Sequence, residues 1–229
     1  MKKFWRIFKK TFIILFIAQL VYIVVLKWVN PPITVTQIVS LVEGNGLKRD
    51  YISYEAMPKN AKLAAIGSED QLFATHNGFD RKSIEKALEF NEKKKGKRLR
   101  GASTISQQVA KNVFLWQGRS WFRKGLEAYF TFMIELVWGK ERILQMYLNV
   151  SEMGIGTFGI EAASQRYFKK PASQLTRNEA ARIVVNMPNP KKYRVNPPSG
   201  YVSKRANWVE RQMRNLEGDV EIKKLLDGE

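Results

Sequence analysis

Two adjacent carboxylates, Glu69 and Asp70, follow an apolar stretch over 59–68. They open the segment Glu69-Asp70-Gln71-Leu72-Phe73-Ala74-Thr75-His76-Asn77-Gly78-Phe79-Asp80. A carboxylate at the mouth of an apolar wall loses solvation, which raises its pKa and suits it to general acid or base work. The same segment also reads as a helix end with two surface acids, and His76 as a hydrogen-bonded structural residue. A second segment, Gly101-Ala102-Ser103-Thr104-Ile105-Ser106-Gln107-Gln108-Val109-Ala110-Lys111-Asn112, is rich in hydroxyls and amides and carries one cation. On a helix Ser103, Gln107 and Lys111 fall at i, i+4 and i+8, with Thr104 and Gln108 beside them. Gly101 leaves room for a ligand near the helix N-terminus, whose free amides and positive dipole end favour phosphate.

Arg119, Arg123, Lys124 and Glu127 come next, on a stretch rich in aromatics between Trp116 and Trp138. Arginine grips phosphate oxygens in bidentate fashion and lysine adds a compact charge, so Lys111, Arg119 and Arg123 suit a diphosphate. A basic amphipathic surface resting on lipid is the plainer reading, and the two are compatible. A last segment, Tyr147-Leu148-Asn149 followed by Gly154, Gly156 and Gly159, puts three glycines in a turn, where positive φ and close backbone approach are permitted.

Positioning these groups falls to helices. Apolar periodicity predicts them over 59–68, 81–92, 103–115, 121–137, 140–149, 158–168, 176–186 and 201–216, with few and short strand signals. Thr176 and Glu179 have capping-box spacing, and Met187-Pro188-Asn189-Pro190 ends that helix. Lys93 to Arg100 reads as a solvated basic loop. The expectation is one mainly α domain over 33–229, preceded by a basic tail over 1–10 and a membrane-crossing helix over 11–29. That run is interrupted only by Gln19 and Lys27, and its roughly 28 Å match the hydrocarbon core of a bilayer. A cleaved leader is the rival, but the run ends in Lys27-Trp28-Val29-Asn30-Pro31-Pro32 rather than in small residues. Lys2, Lys3, Arg6, Lys9 and Lys10 hold the N-terminal flank in the cytoplasm, so the domain is expected on the outer, periplasmic face of the cytoplasmic membrane.

Composition narrows the chemistry further. Of 229 residues 39 are Lys or Arg and 21 Asp or Glu, a net charge of +18 that favours polyanions or anionic lipid as partners. With no cysteine and a single histidine, thiolate chemistry, disulfides and multi-histidine metal sites are excluded. Carboxylates, hydroxyls, amides and cations remain.

In this order the segments resemble the peptidoglycan glycosyltransferase family, specifically its monofunctional members with one membrane anchor, over nearly all of 50–216. Residues 69–80 are similar to the family's first motif, 101–112 to its second, Arg123-Lys124 with Glu127 to its third, and Tyr147-Leu148-Asn149 with the following glycines to its fourth. Ala102 stands where a second glycine is usual and Ser106 where threonine is. The resemblance implies a lysozyme-like helical fold and transfer of a growing glycan from undecaprenyl diphosphate to the 4-hydroxyl of lipid II, with inversion to a β-1,4 linkage. It further implies Glu69 as general base and Glu127 as the second essential carboxylate. Asp70, Ser103, Thr104, Gln107, Gln108, Lys111, Asn112, Arg119 and Arg123 would bind substrate. No cofactor is obligatory on this reading; a divalent cation, Mg2+ or Mn2+, is an option through Glu127 and the diphosphate. The implied partners are lipid II, the growing strand, the cytoplasmic membrane and other cell-wall synthases, and not nucleic acid. A lytic enzyme would share fold and glutamate without needing a diphosphate pocket. A basic surface scaffold or nucleic-acid-binding module would need neither.

Overall fold

The structure, a computed structural model, describes residues 1–94, 101–118, 120–187, 189 and 192–227. The basic run over 95–100 and Arg119 fall outside the described residues. Helices dominate: α1 Lys2–Val25, α2 Val35–Val42, α3 Lys59–Glu69, α4 Arg81–Lys93, α5 Ile105–Phe114, α6 Trp121–Val137, α7 Lys140–Val150, α8 Ile160–Phe168, α9 Arg177–Asn186, α10 Gly200–Leu216 and α11 Val220–Asp227. Strands β1 Lys48–Arg49, β2 Glu152–Gly154 and β3 Thr157–Phe158 form a small sheet in the order β1-β3-β2. β1 pairs parallel to β3, with Lys48 opposite Thr157, and β2 runs antiparallel to it.

Helix α3 is the central element. Every residue from Ala61 to Gly67 is buried, because α7, α9 and α10 pack around it. Small residues make that enclosure possible: a Cβ on Gly67 would lie 3.3 Å from the Gln212 Cβ of α10. Helix α5 lies against α6 and α7, so two packed groups of helices leave a cleft between the end of α3 and the length of α5. The predicted helices are present with small boundary differences. At 103–115 Thr104 is the N-cap and the helix starts at Ile105.

Helices α2 and α11 were not expected from apolar periodicity. Pro31 and Pro32 break the preceding helix, yet Thr34 and Gln37 form a capping box that starts α2 at Val35. Both helices are only eight residues long, too short for periodicity to stand out.

Among the described residues α1 is the helix long and apolar enough to cross a membrane. It is continuous with the basic N-terminal segment and ends at Val25 rather than 29, because the domain takes over its C-terminal carbonyls. The Trp138 indole N–H donates to the Ile23 carbonyl at 2.7 Å. Arg142 donates to the carbonyls of Leu26 and Val29, each at 2.8 Å, and to the Asn30 side chain. Ile23 and Leu26 are buried, Tyr129 donates to Gln19, and the ring of Tyr22 meets Phe114 edge-on. The last two turns of α1 are therefore part of the domain's core rather than a tether. Trp138, at the end of the aromatic-rich stretch that also reads as a surface resting on lipid, is buried by this contact.

The glycine turn behaves as its composition suggests. Gly156 has φ of 61°, and a Cβ there would sit 2.0 Å from the Asn45 carbonyl oxygen, in the turn before β1. Gly156→Ala is expected to lower unfolding free energy by about 2–5 kcal/mol, since left-handed strain and a backbone clash add. Thermal and denaturant unfolding in detergent would measure this, and a shift below about 1 kcal/mol would contradict the packing described.

Candidate active site

Glu69 is the last residue of α3, and its carboxylate is held from two sides. The Ser68 hydroxyl donates to Oε1 at 3.1 Å and the Gln108 amide to Oε2 at 3.0 Å. It is partly exposed, at the junction of two cavities that both count Glu69 and Gln108 in their walls. One, of about 420 Å3, lies between α2 and α5 and includes Lys111, Asn112, Gln117 and Thr36. The other, of about 940 Å3, includes Ser103, Thr104 and, on α10, Arg205, Trp208 and Gln212. Both are within or close to the usual size of ligand sites, roughly 300–1,000 Å3.

The neighbouring carboxylate works differently. Asp70 caps α3, is buried, and accepts from the Ile105 N–H at 3.0 Å and from His76 Nε2 at 2.9 Å. The Gly78 N–H donates to His76 Nδ1 at 3.1 Å, which leaves Nε2 as the donor toward Asp70. Asp70 thus ties the end of α3 to the start of α5. A second chain of bonds braces the same corner: the Thr104 hydroxyl donates to the Gly78 carbonyl at 2.7 Å, and Lys140 bridges Glu135 and the His76 carbonyl. Ser106, at the position where the family resemblance leads one to expect threonine, donates to Glu135, so its hydroxyl has a structural partner.

The polar stripe expected on α5 divides into two functions. Thr104 and Gln107 form a reciprocal capping box, which satisfies amides left free at the helix start. Gln107 is consequently buried and committed to the backbone. Ser103 lies before the helix and is exposed in the larger cavity. Gln108, Lys111 and Asn112 are the α5 residues that line the smaller one. The expected register of Ser103, Gln107 and Lys111 on one face is corrected by this capping.

Glu127 projects inward from the middle of α6 and is almost wholly buried. Arg123 donates to one of its oxygens at 2.7 Å and Lys124 to the other. Arg123 keeps a buried Nε with no hydrogen-bond partner. Lys111 lies within electrostatic range of Glu127, Arg123, Lys124 and Glu69. Burial pushes its ammonium below the ordinary 10.5, Arg123 and Lys124 push the same way, and Glu127 and Glu69 oppose them. Tyr147, beneath Glu69 and Asp70, is fully buried with an unpartnered hydroxyl; burial and then the two carboxylates push its phenol well up.

Glu69 and Lys111 therefore share one cavity, with the Glu127 cluster in electrostatic reach of Lys111. Gln108 and Asn112 are beside them, while Asp70, Thr104 and Gln107 hold the frame. Neither the Ser68 bond to Glu69 nor the α10 wall was foreseen. Ser68 is the residue just before the glutamate, and its hydroxyl was the signal present. The α10 residues stand some 140 positions along the chain and carry no local mark. Among the described residues no three acidic or imidazole groups converge as a metal site. Both Glu127 oxygens are already engaged by cations.

A helical domain whose cleft sets a partly exposed carboxylate beside Lys111, with further cations in electrostatic range, has the make-up of a glycosyltransferase that works on a charged donor. A model of the transglycosylase family matches residues 35–214, and the chain belongs to that family, with its lysozyme-like helical fold. It is 46% identical over 215 residues to the biosynthetic peptidoglycan transglycosylase of Shewanella oneidensis, covering 92% of this chain and 91% of that one. The protein of the same name from Escherichia coli is 57% identical over 170 residues, 74% of this chain and 70% of its own. That from Pseudomonas putida is 48% identical over 207 residues, covering 88% and 87%.

The lowered pKa of Lys111 makes its charge sensitive to pH. An ammonium attracts anionic oxygens and a neutral amine does not, so if Lys111 meets an anionic substrate, kcat/KM of the free enzyme should fall as pH rises through the lowered pKa, below an ordinary lysine's 10.5. Stability runs the other way: burial penalises the ammonium, so this residue's penalty is largest at lower pH and disappears as pH rises past the folded and then the unfolded pKa. Lys111→Arg should move the alkaline limb to higher pH, because guanidinium stays charged there. An unchanged limb in pH–rate profiles would exclude Lys111 as its source.

Proposed function

We propose that the enzyme polymerises lipid II into β-1,4-linked glycan strands of peptidoglycan, with inversion and release of undecaprenyl diphosphate. The observation that carries this is the position of Glu69, held by Ser68 and Gln108 between two cavities, one of which it shares with Lys111. Glu69 accepts the proton of the acceptor 4-hydroxyl as its oxygen bonds to donor C1. The bond from C1 to the diphosphate oxygen breaks on the opposite face, and the electron pair leaves with the diphosphate. Attack opposite the leaving group turns an α linkage into β. The leaving group needs its charge screened more than it needs a proton, and Lys111, Arg123 and Lys124 supply that screening. Glu127 holds Arg123 and Lys124 in place and keeps the cluster from excessive mutual repulsion. Arg119 is assigned to the same diphosphate by sequence.

The membrane arrangement belongs to this proposal. α1 crosses the cytoplasmic membrane once, with Lys2, Lys3, Arg6, Lys9 and Lys10 on the cytoplasmic side and the domain on the outer face, where lipid II and the growing strand are confined to the same surface. Exposed Trp121, Phe122, Phe132 and Leu136 on α6, the helix against which α1 docks, suit contact with lipid. Other cell-wall synthases are proposed as partners on the strand, and nucleic acid is not.

Labelled lipid II tests the reading. Glu69→Gln should cut polymerisation by about 10²–10⁴-fold with an unchanged melting temperature. Lys111→Ala should chiefly raise KM for the donor. Substantial turnover by the glutamine variant would remove Glu69 from the base role, and digestion of purified sacculi without chain growth would make the enzyme lytic. We further propose that a divalent cation is optional, because the chain's own cations face the diphosphate. Polymerisation should then persist in excess chelator; a loss beyond roughly tenfold, a barrier change of about 1.4 kcal/mol, would assign Mg2+ or Mn2+ an essential part.

A further inference from the structure

The two cavities lie at opposite ends of α5. The smaller one is at the anchor end: Thr36, in the first turn of α2, donates to the Asn112 carbonyl at 2.7 Å, and Phe114 meets Tyr22 of α1. The larger extends from the shared Glu69 and Gln108 toward the start of α5, and its outer wall is α10. Glu69 stands between them. Both substrates hang from lipid by their reducing ends. The acceptor reacts at its non-reducing end, so nothing of it extends past Glu69. The donor reacts at its reducing end, so the sugars already joined extend away from C1 and its diphosphate, and the larger cavity is the place where the growing strand can lie.

We propose that Arg205, Trp208 and Gln212 of α10 form a retaining subsite for that strand, a β-1,4 amino-sugar polymer bearing acidic peptides. The inference rests on the polymerase reading above. The Arg205 guanidinium lies over the Trp208 ring at 3.8 Å, which fixes a flat cation against an apolar plate in the cavity wall. Arg205 also donates weakly to the Ser68 carbonyl, at 3.5 Å, and so adjoins the residue that holds Glu69. Gln212 accepts from Gln71 at 3.2 Å through its carbonyl, leaving its own N–H groups for an acetamido oxygen. Lys86 adds a second cation to the cavity lining. The exposed part of the Trp208 ring gives apolar contact to sugar C–H groups, and the cations take peptide carboxylates. None of these residues meets the reacting atoms, so they act on how long the strand is held, not on bond making.

The full chain in detergent micelles, supplied with labelled lipid II, separates the two effects. Trp208→Ala and Arg205→Ala should leave the first coupling, two lipid II molecules to a lipid-linked tetrasaccharide, within about twofold of the parent. Mean strand length at low conversion should fall about three- to tenfold, from the lost stacking and charge contacts. Trp208→Phe should recover most of the length. Arg205, half-exposed, guards against a folding defect in the Trp208 variant. Unchanged strand length in Arg205→Ala overturns the proposal, as does an equal loss of first coupling and elongation. Failure of the parent chain itself to couple lipid II would instead overturn the polymerase reading.

Discussion

Asp70 is where two helix ends are fastened together. Its carboxylate takes the first backbone N–H of α5 and the ring N–H of His76, while its own backbone N–H completes the last turn of α3. A buried carboxylate with hydrogen bonds from both sides is costly to disturb, because any displacement leaves charge or amide unpaired. The result is that Glu69, one residue earlier, is pointed at Gln108, one turn into α5. The pair of acids thus divides the labour: one is spent on geometry so that the other can remain accessible.

A similar economy governs the cations. Glu127 is buried with two positive partners, and Lys111 is added to that group without a carboxylate of its own in hydrogen-bond contact among the described residues. The cluster carries an excess of positive charge in a poorly solvated place, a state that is unfavourable until an anion arrives. An anion such as the diphosphate of the proposed reaction would relieve it, and charge developing on a departing oxygen would meet cations already in position. Arg123's unpartnered Nε is a local sign of the same incompleteness.

Much of this was legible in the residues. The long helices were, since each buries one stripe of a periodic pattern, and so were the helix ends marked by Thr176 with Glu179 and by the glycine turn. The chemical groups were also identifiable, as carboxylates and cations are few kinds of residue with few uses. What could not be read was the division of a polar stripe between capping and ligand: Gln107 and Gln108 are chemically identical, and only the position of the helix start, fixed by Thr104, sends one to the backbone and the other to Glu69. Nor could Asp70 be separated from Glu69, since their difference is a contact with Ile105 across 35 positions. The anchor's end was misplaced for a related reason. Hydropathy records what lipid tolerates, and it is blind to an indole and a guanidinium, Trp138 and Arg142, that claim the helix's carbonyls from more than a hundred residues away.

Helix α6 has two faces with different tasks: Arg123 and Glu127 are buried against the domain, while Trp121, Phe122, Phe132 and Leu136 turn outward, and α1 is locked alongside. Seated in a bilayer, such a helix makes acyl-chain length a mechanical input. Only twelve residues, about 18 Å, separate Lys10 from the first buried position of α1 at Ile23. The domain must sink, or the leaflets thin, to close the hydrophobic mismatch. Thicker membranes would draw α6 further into the hydrocarbon, and the buried Arg123–Glu127 cluster would move with it.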